Sequence, residues 1–164
     1  MDEKESIRKE LQCTIHPVGY LETYKYVVVC SYYKGQWLLS RHEIRDTWET
    51  QGGHVESGET PMEAAKRELY EESGVSPNSL IKLTSMCYVR ADCFSDKARA
   101  NWAHDTYVIP EYSFAFECNE DISISREHTE ILWLTYAEAM TRLTWDSNKT
   151  ALYEIHQRLI NKRR

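Results

Sequence analysis

At 164 residues, with 41% hydrophobic and 28% charged side chains, the chain has globular proportions and suffices to bury a sizeable core as one domain over residues 1–164. A formal net charge of −6 argues against a general affinity for polyanions, so no nucleic acid partner is expected, although a local basic patch is not excluded. No run approaches the roughly 18 apolar residues of a membrane span, Met1-Asp2-Glu3-Lys4-Glu5 carries no apolar signal region, and five cysteines without a C-x-x-C suggest neither a disulfide framework nor a zinc site. A cytoplasmic location with no membrane partner is the expectation.

In chain order, β-branched and aromatic enrichment predicts strands at Leu11 to Pro17, Tyr24 to Tyr33, Trp37 to Arg41, Leu80 to Arg90, Thr106 to Cys118 and Glu130 to Leu134. Lys34-Gly35-Gln36 is expected to turn a hairpin, and Tyr26-Val27-Val28-Val29-Cys30 is apolar enough for a central strand covered on both faces. Thr60, Pro61 and Glu63 form a capping-box pattern that starts a helix over 61–73, and Gly74 suits its left-handed C-terminal cap. Further helices are expected at about 136–143 and 147–162, the last from Leu152, Ile155, Leu159 and Ile160 at helical spacing. Asp92 to Asp105, with Lys97, Arg99, Trp102 and His104, reads as a long polar loop, equally suited to bordering a binding site and to plain connection.

The chemistry concentrates on the 61–73 helix. Glu68, Glu71 and Glu72 stand at i, i+3 and i+4 and share a face, beside an apolar stripe of Met62, Ala65 and Leu69. Like charges at this spacing repel, so something must compensate them. Oxygen-only donors without convergent His or Cys suit a hard cation, Mg2+ or Mn2+, whose coordination a polyphosphate completes. Just before the helix, the loop Gln51-Gly52-Gly53 permits close approach of backbone. His54 beside it reads as incidental rather than as a phosphate contact. Trp48, Trp102, and Trp145 with Asp146 and Asn148, offer surfaces for a base, but core packing is the favoured reading of each tryptophan.

Gly53 to Val75, GHVESGETPMEAAKRELYEESGV, meets every fixed position of the pattern G, five residues, E, seven residues, R-E-aliphatic, one residue, E-E, one residue, G-aliphatic. It resembles the signature of the Nudix hydrolases, the MutT-like family. That resemblance implies an α+β fold, a Nudix-like α/β/α sandwich with a mixed β-sheet between helices. It also implies a metal-dependent hydrolase that cleaves a diphosphate linkage in a nucleoside diphosphate derivative, by attack of metal-activated water at phosphorus. Carried over residue by residue, Glu68, Glu71 and Glu72 become metal ligands, one of Glu71 and Glu72 the base, and the Gly52 carbonyl a further ligand. Arg67 becomes the group that orients a glutamate, and Glu59 a structural carboxylate. Family members often add a carboxylate from a distant loop, for which Glu127 and Glu130 are the candidates.

Gln51 stands where many members have proline, a departure that touches no catalytic position. Around Arg90 to Cys93 the chain lacks the proline and tyrosine that mark ADP-ribose and dinucleoside polyphosphate subgroups. Gln36 to His42 and Leu143 to Lys149 are loosely similar to members that hydrolyse oxidised purine triphosphates, so the expected partner is a small nucleotide, a nucleoside triphosphate with oxidised forms included. The alternatives are a non-catalytic nucleotide-binding or regulatory module and an RNA 5′-end pyrophosphohydrolase. A homodimer stays open.

Overall fold

The computed structural model describes residues 24–119, 122 and 128–162. Among these, seven strands join in one mixed sheet. At its centre lies β1 (Tyr26–Tyr33), the apolar run expected to be buried on both faces. Along one edge β1 pairs antiparallel with β4 (Gln51–His54) at Tyr26 to Val29, then with β2 (Gln36–His42) at Tyr32 and Tyr33. Along the other it runs parallel to β6 (Val108–Glu117), which pairs antiparallel with β5 (Ile81–Arg90). β2 also holds β3 (Trp48–Glu49) and β7 (His128–Leu134), both antiparallel. The β1–β2 hairpin closes through Lys34 and Gly35 at φ 46° and 85°, and two positive values give the turn a twist that matches the strands.

Alternation along β1 distributes the core. Val28 and Cys30 join Ala139 of α3 (Tyr136–Arg142) and Ala151, Leu152 and Ile155 of α4 (Asp146–Lys162) on one face. Val27 and Val29 join Ala64, Ala65 and Leu69 of α1 (Pro61–Ser73) on the other. Helices therefore cover both faces, giving the expected α+β sandwich. The ends of α1 match the sequence reading: the Thr60 hydroxyl accepts from the Glu63 N–H at 3.3 Å, the Glu63 carboxylate accepts from the Thr60 N–H at 2.8 Å, and Gly74 closes the helix at φ 74°.

Some segments differ from the expectation. Leu11 to Pro17 lies outside the described residues. Gln51-Gly52-Gly53, expected to be a loop, is part of β4, and β3 precedes it. Two short strands with a Gly-Gly step carry too few side chains to show a period of two. The polar stretch from Asp92 contains a 3-10 turn (Ala91–Cys93) and a short helix α2 (Asp96–Arg99). Cys30, Cys87 and Cys118 are buried, Cys93 is half-buried, and among the described residues no helix is long and apolar enough to cross a membrane.

The β5–β6 register shifts between Lys82 and Met86, which takes the N–H groups of Thr84 and Ser85 out of the ladder. Glu154 of α4 accepts both, at 2.7 and 2.6 Å, and pairs with Arg158. Burial raises this carboxyl, but the two N–H groups and Arg158 outweigh it and hold the pKa at about 2 against an ordinary 4.5. A depressed carboxylate stabilises the fold above its unfolded pKa and loses that contribution as pH falls through the folded value. Glu154→Ala is expected to cost about 2 kcal/mol at neutral pH. Urea titrations should show the gap between variant and wild type narrowing from pH 4.5 down towards pH 2.

Candidate active site

Arg67 projects from α1 into a ring of oxygens. Its Nε and one terminal nitrogen donate to the two oxygens of Glu59 at 2.8 and 3.0 Å. The other terminal nitrogen donates to Glu68 at 2.6 Å and Glu71 at 3.0 Å, and the His54 carbonyl accepts at 2.8 Å. The hydrogen bonds from Arg67 hold the Glu59 carboxyl below its usual range. One guanidinium thus offsets the repulsion among carboxylates that the helix spacing creates, and the same fork ties α1 to the end of β4.

Glu72 reaches β4 as well, accepting from the Gly52 N–H at 3.1 Å. Both glycines are in close contact. A methyl group at Gly52 would overlap the Val27 carbonyl across the β1–β4 pair, and one at Gly53 would overlap the Glu68 carboxyl group. The Glu68 carboxyl group therefore rests in the cradle that Gly53 leaves open. The donors are all oxygens, as a hard divalent cation requires, so the residues fit such an ion. Among the described residues no three of His, Cys, Asp and Glu converge as an ion-enclosing group, since Arg67 engages Glu68 and Glu71 while Gly52 engages Glu72.

On the opposite face of the sheet, a cleft opens beside Thr50, bounded by Tyr26, Phe94 and Trp145. Three charged residues line it: Arg45 and Glu49, joined by a two-point ion pair at 2.8 and 3.0 Å, and Glu111 of β6. Sequence reasoning did not single these out. Glu111 alone carried a signal, as a carboxylate at an inward position of the apolar run Val108 to Phe116.

The family model of the NUDIX domain matches residues 24–154. The chain belongs to the Nudix family. It is 31% identical over 114 residues to the asymmetrical bis(5′-nucleosyl)-tetraphosphatase of Rattus norvegicus, covering 67% of this chain and 70% of that protein. It is 41% identical over 59 residues to the RNA pyrophosphohydrolase of Shewanella woodyi, covering 36% of this chain and about a third (34%) of that relative's length. Among solved structures, a Nudix hydrolase from Listeria monocytogenes superposes with a TM-score of 0.71 at 34% identity, covering 84% of this chain and 94% of the other. The dihydroneopterin triphosphate pyrophosphohydrolase of E. coli shares the fold at a TM-score of 0.68 and 23% identity, over 80% and 95% of the two chains.

The remaining residues singled out in this Nudix chain fall in several places. Glu130 stands on β7 opposite Arg41, with their charged groups 3.8 Å apart, and Glu127 lies outside the described residues. Trp48 packs on the core beneath Arg142. Asn148 is buried and accepts from the Thr50 N–H at 3.0 Å, and Asp146 lies 3.8 Å from Lys149. His54 is on β4, inside an aromatic group: Tyr26, Phe94 and Trp102 surround its ring at 5.0, 5.4 and 6.0 Å between centroids. Burial first, then the charge of Arg45, lowers its pKa. Trp102 also stacks on Tyr24 at 5.4 Å, so the polar stretch after β5 is latched to the sheet by its aromatic residues. Trp102→Ala should unlatch it, with limited proteolysis between residues 95 and 105 accelerating about tenfold while the urea midpoint moves little. Uniform acceleration along the chain would instead mean global destabilisation.

Proposed function

We propose that this chain is a divalent-cation-dependent pyrophosphohydrolase of nucleoside diphosphate derivatives, with a nucleoside triphosphate, oxidised purine forms included, as its substrate. The observation that carries the reading is the arrangement of Glu59, Glu68 and Glu71 around Arg67, with Glu72 hydrogen-bonded to the Gly52 N–H beside them. A surface acidic helix needs no such cradle. Support comes also from membership of a family in which the relatives named above are a tetraphosphatase and an RNA pyrophosphohydrolase.

In this proposal Glu68, Glu71, Glu72 and the Gly52 carbonyl hold Mg2+ or Mn2+. When bound, such a cation supplies positive charge to the phosphate oxygens and makes water acidic enough to serve as nucleophile near neutral pH. Glu71 or Glu72 takes the proton from the attacking water. Arg67 keeps Glu68 and Glu71 in place, and Glu59 in turn holds Arg67 at two points, so the guanidinium cannot rotate away without losing both. Glu127 and Glu130 are the proposed sources of a further carboxylate. A single domain over residues 1–164 and a cytoplasmic setting complete the proposal.

A second reading is a dinucleoside polyphosphate substrate, favoured by the 31% identity to the rat tetraphosphatase over two thirds of this chain (67%). Release of phosphate and pyrophosphate from nucleoside triphosphates, dinucleoside polyphosphates, ADP-ribose and triphosphate-ended RNA, with Mg2+ or Mn2+, separates the readings. Glu68→Gln, Glu71→Gln and Glu72→Gln should each lower kcat at least a hundredfold with the fold intact. Activity within twofold of wild type in all three would sink the assignment. Gly53→Ala should displace the Glu68 carboxylate and lower kcat at least tenfold, with a smaller change in KM.

A further inference from the structure

Glu111 is 5% exposed, and its place is unusual for a carboxylate. It stands on β6 in register with Tyr26 and lines the cleft under Phe94 and Trp145. The Ser147 hydroxyl hydrogen-bonds to it, yet Oε1 is shielded from solvent and has no hydrogen-bond partner among the described residues. The Thr50 hydroxyl in the same cleft is likewise without a partner. A buried acceptor left unmatched costs free energy that an incoming donor recovers. The nearby cation does not serve this purpose, because both donor nitrogens that Arg45 turns towards a carboxylate are on Glu49. Burial, followed by the charge of Glu49 and against the Ser147 hydrogen bond, places the Glu111 carboxyl at about 7, so a donor pair can draw it into the ionised form.

We propose that this cleft binds the planar base of the substrate and that Glu111 reads a guanine-type edge, the adjacent N–H and amino donors of a 2-amino-6-oxopurine. The inference deepens the hydrolase reading, on which its biological meaning rests, but it stands on different atoms. Tyr26, Phe94 and Trp145 supply the faces against which a flat ring packs. A carboxylate offers two acceptor oxygens in one plane, which match two neighbouring N–H donors. Adenine presents one donor and one acceptor on that edge, and hypoxanthine lacks the amino donor, so neither matches both oxygens of the ionised carboxylate. Thr50, whose N–H binds Asn148 at the cleft, and Gly52, whose N–H binds Glu72, stand two residues apart along the chain, roughly 7 Å.

The test is equilibrium binding by calorimetry of GMP, IMP, AMP and CMP in metal-free, chelator-treated buffer, on wild type and Glu111→Gln. Wild type is expected to bind GMP at least tenfold more tightly than IMP or AMP. In Glu111→Gln the GMP-to-IMP ratio should fall to within threefold, with an unchanged circular dichroism spectrum. Equal affinity for GMP and IMP in wild type, a ratio that survives the substitution, or no nucleotide binding at all overturns the proposal. Should the variant fail to fold, the wild-type ratio decides. A parallel comparison of GTP and ITP hydrolysis keeps the two readings apart: absent hydrolysis with a preserved GMP preference removes the hydrolase and leaves the base pocket.

Discussion

Carboxylates brought together on one helix face repel one another, and the structure around α1 is organised by how that repulsion is met. Arg67 lies among Glu59, Glu68 and Glu71 and also donates to the His54 carbonyl, so the same side chain neutralises the helix and fastens it to β4. Without a cation at that point the helix would carry uncompensated charge against a strand whose glycines offer no side chain to hold it. The capping box at Thr60 and the left-handed cap at Gly74 set the helix ends independently, which fixes the turn on which each glutamate falls.

The close approach of β4 to both α1 and β1 follows from the same two glycines. Gly52 meets the backbone of Val27, and Gly53 meets the carboxyl group of Glu68. A side chain at Gly52 would press on the backbone of β1, and one at Gly53 would turn the Glu68 carboxyl group aside, in each case enough to separate groups that act at hydrogen-bond distance. β4 is therefore the strand on which the two halves of the molecule meet. Thr50 is tied to Asn148 at the head of α4, Gly52 is tied to Glu72 on α1, and Tyr26 of β1 lies between His54 and Glu111 in the sheet register.

This arrangement separates a charged region on the α1 side from an aromatic cleft on the α3 and α4 side. Relatives with different names, a tetraphosphatase and an RNA pyrophosphohydrolase, match this chain in sequence, and one fold can carry different sites. The cleft residues come from β1, from β3 and the loop before it, from β5 and the stretch after it, from β6 and from the start of α4. Substitutions in any of them leave the carboxylates of α1 untouched.

The sequence by itself determined whatever depends on local spacing. The glutamates of α1, its caps, the hairpin at Lys34 and Gly35, and the apolar run of β1 all follow from neighbours within a few residues, so helical and strand periods display them directly. Strands β3 and β4 escaped because Gly52 and Gly53 exchange pattern for close contact, and the aromatic latch of Phe94 and Trp102 looked like a polar loop because its partners Tyr26 and His54 lie forty or more residues away. Only the tertiary structure decided that Arg67 serves Glu59 as well as its helix neighbours, and that Glu111, an isolated acid in an apolar strand, faces Arg45, Glu49 and Ser147 in one cleft. Burial and unmatched hydrogen-bonding capacity are properties of what surrounds an atom, and those surroundings come from four separate stretches of chain.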